Sequence, residues 1–206
     1  MTFQYVINNA ESISMARRSV VAKTQSRDGT TRSVMRGPSV WQFEVKLPDG
    51  IPWTELRESI SYIESYYNTA TESSIRINSS GHSWLSEYQG GSANYTGFVA
   101  SITKGSDEIT LTTSPSTSAG QWKFRAGDFI QLGTSGTVYT VVDGVTYNSN
   151  TVKLHREVLE NSATGVQLKV GPDVTWPVIC TQMPQWTIFA RNQVSWNGTF
   201  IFTEQL

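Results

Sequence analysis

Between residues 40 and 47 apolar and polar side chains alternate without a break, Trp41, Phe43, Val45 and Leu47 against Gln42, Glu44 and Lys46. A period of two puts each set on its own face, so the segment predicts a one-sided β-strand. Upstream, from Tyr5, shorter β-like runs such as Ser19-Val20-Val21-Ala22 are separated by polar residues, and Asp28-Gly29 supplies a tight turn for a hairpin. Pro48-Asp49-Gly50-Ile51-Pro52 ends the strand, because proline removes a ladder donor and glycine supplies turn geometry. The period then changes. Leu56, Ile60, Ile63 and Tyr67 recur at helical spacing, with Glu55, Arg57, Glu58, Ser61 and Glu64 on other faces. This predicts one helix, at about 54–67, with a core-facing stripe.

After Gln89-Gly90-Gly91-Ser92 the pattern becomes a series of short strands: Tyr95–Ile102, Glu108–Thr113, Asp128–Leu132, Thr137–Val142, Thr151–Leu154 and Val166–Val170. Turn residues punctuate them, and Ser114–Gly120 is a polar loop. Strands at this spacing predict a small barrel, OB-like in size. Strand-like runs return at Val174–Thr181, Trp186–Ala190 and Phe200–Thr203. The expected fold is mainly β with one α-helix. Residues 1–92 and 180–206 form a split β-sandwich-like domain, and 93–179 form an inserted OB-like β-barrel.

Composition adds constraints. A chain of 206 residues buries a core without staples, and the lone cysteine, Cys180, excludes an intrachain disulfide or a multi-thiolate zinc site. No basic leader and no run of about 18–20 apolar residues is present, so the expectation is a soluble protein made in the cytoplasm. Net charge is −1, which argues against strong attraction to nucleic acid. Residues 1–36 nevertheless carry six basic against two acidic residues, a net +4, leaving −5 for the remainder. Arg17, Arg18, Arg27, Arg32 and Arg36 are therefore the candidate interface residues, on an extended hairpin facing an acidic partner surface.

Motifs for catalysis are sparse. His82 and His155 are the only histidines and have no further ligands at metal-site spacing. Ser83 follows His82 without a nucleophile elbow, and Gly133-Thr134-Ser135-Gly136 lacks the Lys-Ser/Thr of a phosphate loop. The carboxylate pairs Asp107/Glu108 and Glu157/Glu160 read as surface charge. The expectation is no enzyme, no metal and no cofactor. A second expectation concerns aromatics: Trp122 and Tyr147 offer stacking surfaces for sugars or bases, while Trp41, Trp53, Trp84, Trp176, Trp186 and Trp196 read as core and interface.

Three segments resemble the distal tail or baseplate hub proteins of tailed bacteriophages. They are Trp41–Leu47 through Pro48-Asp49-Gly50 into the helix; Arg125-Ala126-Gly127-Asp128-Phe129-Ile130-Gln131-Leu132-Gly133 with Val138–Val141 and Val152–Arg156; and Gln185–Ala190 with Val194–Phe202. The resemblance implies a structural virion protein, made in the host cytoplasm, that forms a homo-oligomeric, hexameric ring at the tail tip. Its implied partners are the tail tube, hub and tail-fibre or baseplate proteins, with no membrane, no sequence-specific nucleic-acid binding and no catalytic residues. The alternative function is a carbohydrate-binding module for host cell-surface polysaccharide.

Overall fold

A computed structural model describes residues 3–19, 21–35, 37–78, 81–92, 95–115, 117–133, 136–189 and 192–206, with backbone alone at 21–23 and 32–35. The fold is mainly antiparallel β-sheet with two helices. The chain divides into two compact units. One comprises Ala10–Thr71 and Ile179–Gln205, the other Met1–Asn9, Glu72–Val178 and Leu206.

The first, discontinuous unit is organised around the Val40–Lys46 strand. Ser12–Arg18 pairs with it on one side and Phe200–Glu204 on the other, both antiparallel, with Phe43 opposite Phe202 and Val45 opposite Phe200. Residues directly opposite each other share a face, so the alternation in sequence gathers these four side chains on the buried side. The rings of Phe200 and Phe202 stack 6.0 Å apart. Buried Glu204 accepts the Trp41 backbone N–H at 3.1 Å. A second sheet runs Gln185–Phe189, Gln193–Asn197, Ile51–Pro52, and Trp196 from it lies 5.4 Å from Phe200. The Asp49-Gly50 turn is tied to this sheet: Trp196 N–H donates to the Asp49 carboxylate at 2.8 Å, and Gly50, at φ +90°, donates to Val194 O.

The predicted helix spans Trp53–Thr69 and buries Leu56, Ser59, Ile60 and Ile63. Tyr67, expected on the same stripe, is instead exposed, because the last helical turn borders an open cleft beside Met183 and Pro184. The hairpin is present as well. Val21–Gln25 and Thr31–Met35 pair only with each other among the described residues. Their loop is a turn closed by Gly29 N–H to Ser26 O at 3.0 Å, with Gly29 at φ +83°, the three-residue hairpin form in which glycine takes the left-handed position.

The second unit holds a closed barrel. Its strand order is Val138–Thr140, Phe129–Leu132, Ala163–Val170, Val99–Ile102, Glu108–Thr113, Thr151–Lys153. A bridge between Val141 and Leu154 joins the outermost two, supported by Val142 N–H to Lys153 O and His155 N–H to Thr140 O. It closes with six strands, one more than the five of an OB barrel. Phe98, Phe124, Ile130, Tyr139, Val152 and Leu168 belong to its core. A short pair, Trp122–Phe124 with Val145–Thr146, lies outside the main order and was not expected from sequence. Tyr95–Gly97, expected as strand, is a 3-10 turn.

Residues 72–92, expected with the split domain, lie in the barrel unit. Ser73–Ile75 pairs with Trp176–Val178. Tyr88 packs edge-on against Phe98 and Phe124 and donates its hydroxyl to Lys123 O. Gly91 N–H donates to Trp122 O at 2.6 Å. Gln89-Gly90-Gly91-Ser92 is thus a close backbone approach to a barrel strand and not a domain boundary. A second helix, Gln4–Asn8, also belongs here. It buries Val6 and Ile7, and the Gln4 amide exchanges two hydrogen bonds with the Arg76 backbone.

Two predictions follow from this packing. A methyl group on Gly90 would sit 2.1 Å from Tyr88 Oη and 2.5 Å from Lys123 O. Gly90→Ala should therefore destabilise the protein by about 1–3 kcal/mol, read as a melting temperature lowered by several degrees. Burial pushes the Cys180 thiol from 9.0 up to about 12, and the Tyr88 hydroxyl from 10.0 up to about 12. The folded state keeps both protons where the unfolded chain releases them. Stability should hold below pH 9 and fall progressively between about pH 9 and 12, measured as a shrinking denaturation midpoint. Cys180 should react with thiol reagents at neutral pH only after unfolding.

Candidate interaction surfaces

The basic arm is placed by strand pairing. Arg17 and Arg18 end the Ser12–Arg18 strand opposite Trp41 and Val40. Both are exposed, and the Arg17 guanidinium lies 5.6 Å from the Trp41 ring centre. Arg27 is exposed at the hairpin tip. Arg32 stands on the returning strand opposite Thr24, described by its backbone alone, and Arg36 lies outside the described residues. At the tip, hydrogen bonds from Thr30 and Ser26 hold the Asp28 carboxyl below its ordinary range.

The same unit carries a surface of opposite character. Gln185–Phe189 is the outer strand of its three-stranded sheet, and Ile188 and Phe189 are 43% and 45% exposed. Trp186, half-buried, stacks on Trp53 at 4.7 Å and points its indole N–H at Glu64. An apolar edge strand left uncovered is a template for pairing with another chain. Sequence reasoning took Trp186–Ala190 for an ordinary closing strand, because Trp, Ile and Phe carry no mark that separates a core face from an exposed one.

Trp122 and Tyr147 are 37% and 38% exposed. Trp122 lines a shallow cleft of ≈ 340 Å³ with Gln89, Arg125, Ala126 and Gly144. Tyr147 stands outside that lining. Trp122 is held firmly. Lys123, next along the strand, is buried and donates to Ser149 O at 2.9 Å and Asn150 Oδ1 at 2.7 Å, with desolvation pulling its pKa below the ordinary lysine value. Trp84, expected as a core or interface residue, is 64% exposed beside the 82–86 turn.

Of the groups considered for catalysis, His155 and Glu160 are held by hydrogen bonds. His155 Nδ1 accepts the Thr140 N–H at 2.9 Å. Glu160 receives the Tyr139 hydroxyl, whose oxygen also accepts Leu159 N–H, and buried Arg156 donates to Val138 O at 2.7 Å with its guanidinium 5.2 Å from the Tyr139 ring centre. Asp107 and Glu108 are exposed strand-end residues. His82 and Ser83 lie at the start of a 3-10 turn. Thr134 and Ser135 of the glycine-flanked segment lie outside the described residues. Among the described residues, no three His, Cys, Asp or Glu side chains gather to hold a metal ion, and no helix is long and apolar enough to cross a membrane.

A cleft of ≈ 470 Å³ in the barrel unit is lined by Arg76, Lys169 and Asp173 among others. Arg76 pairs with Asp173 at 2.9 Å. No protein-family model matches the chain, and a comparison with curated proteins finds no match.

Proposed function

We propose that this chain is a structural virion protein of a phage tail tip or baseplate, a subunit that closes with copies of itself into a ring joining the tail tube to hub, fibre or receptor-binding proteins. The observation that carries the reading is the presence, in one unit, of two unlike contact surfaces. One is the two-stranded arm with exposed Arg18 and Arg27; the other is the apolar outer strand with Ile188 and Phe189. A ring assembled head to tail joins two different patches of the same protein, whereas a two-fold dimer needs only one self-complementary patch. The charge division between residues 1–36 and the remainder fits such an arrangement, with exposed charge steering encounter and apolar contact supplying most of the affinity. The three sequence segments that resemble distal tail proteins support the same family. The role is mechanical and needs no catalytic group.

Sedimentation velocity with negative-stain imaging tests this. The wild-type chain should form closed, multi-copy particles. Ile188→Lys with Phe189→Lys should give monomers whose melting temperature stays within a few degrees of wild type, since both side chains are exposed. Arg18→Glu with Arg27→Glu should weaken assembly at low salt, and the difference should shrink at high salt as exposed charges are screened. A wild-type chain that stays monomeric at every concentration, or variants that assemble like wild type, would overturn the proposal.

A further inference from the structure

The Trp122 cleft lies in the barrel unit and carries features of its own. Its aromatic wall is rigid: a methyl group on Gly144 would sit 2.6 Å from Trp122 Cζ3, so the ring occupies space that only glycine leaves open, and Lys123 anchors the strand from the buried side. The ring is nevertheless 37% exposed and so presents a fixed aromatic face to solvent. The remaining lining is polar and able to donate. Arg125 and Gln89 side chains are both exposed, and neither backbone is left loose, because buried Asp128 accepts Arg125 N–H at 2.8 Å and Gln89 N–H at 2.9 Å. One carboxylate therefore sets the spacing of the two polar residues beside the indole.

We propose that this cleft is a saccharide-binding subsite. The indole stacks on the apolar face of a pyranose, the Arg125 guanidinium bridges neighbouring ring hydroxyls or a sugar carboxylate with its planar fork, and the Gln89 amide takes a further hydroxyl. The volume, at the lower end of the ~300–1,000 Å³ usual for ligand pockets, suits one residue of a glycan whose remainder runs into solvent. Single-stranded nucleic acid is the other ligand that stacks on aromatics, but it is held by a basic groove that tracks its backbone. Residues 93–179 carry six basic and seven acidic side chains, a net charge of −1, which disfavours it.

Binding of the full-length chain to immobilised pyranose oligosaccharides, neutral and uronic-acid-bearing, with an oligothymidylate beside them, tests the assignment. At least one saccharide should bind. Trp122→Ala should weaken it by at least about tenfold, Trp122→Phe should retain part of the affinity, and Arg125→Gln should weaken it without lowering the melting temperature. Tyr147→Ala, outside the cleft, should leave binding unchanged. No saccharide binding, binding insensitive to Trp122→Ala, or tighter Trp122-dependent binding of the oligothymidylate would each overturn the proposal. The ring test above is independent of all these outcomes.

Discussion

Every β-sheet must do something with the backbone donors and acceptors of its outermost strands, and the two units meet that constraint in opposite ways. In the barrel unit the Val141–Leu154 bridge joins the outermost strands of the six-stranded order and closes it. In the split unit the sheets stay open. Gln185–Phe189 ends one of them, and a two-stranded ribbon extends from Ser12–Arg18 and Val40–Lys46 into the hairpin. Closure suits a body that presents side chains; openness suits a body that makes joints. The functional proposals divide between the units, with assembly assigned to the split unit and ligand binding to the barrel unit.

Buried polar groups give the closed unit its definition. Asp128, Lys123, Arg156 and Gln131 are all buried, and each is spent on backbone or amide partners: Asp128 on two N–H groups, Lys123 and Arg156 on carbonyls, Gln131 on Thr175. A buried polar group without a partner costs a few kcal/mol, so each of these contacts excludes alternative loop positions. Burial also raises the Asp128 carboxyl above its ordinary range despite the two hydrogen bonds it accepts. These ties span the 89–91 segment, the 122–128 strand and turn, and the 146–150 turn. They explain why residues 72–92 fold with the barrel.

How much of this could be read from the chain depended on element length. Val40–Leu47 and the helix at 53–69 were legible because the seven residues from Trp41 at period two, and the stripe from Leu56 to Tyr67 over about three turns at period 3.6, each repeat often enough to exclude the other pattern. Glu108–Thr113 was legible for the same reason. Gln4–Asn8, Trp122–Phe124 and Val145–Thr146 are too short for a period to appear, and only tertiary contacts make them elements. The helix stripe named Tyr67, yet it is exposed: apolar spacing states that a side chain can be buried, not that a partner surface reaches it. For the candidate sites, the arginine arm was visible as a charge bias and Trp122 as a stacking residue. That Gln89 and Arg125 join Trp122, and that Tyr147 does not, depends on contacts between residues as many as 55 positions apart.

The split unit draws its sheet partners from opposite ends of the sequence: Glu44 and Thr199 meet through a side-chain hydrogen bond across 155 positions. The barrel strands, by contrast, all lie within Val99–Val170. During synthesis the barrel can complete its pairing first, while Trp41, Phe43 and Val45 wait for Phe200 and Phe202 to cover them. A nascent or truncated chain that has not reached residue 193 therefore consists of a finished barrel attached to an unfinished sheet with its apolar face open. That species is the one whose exposed apolar face a chaperone or a protease meets.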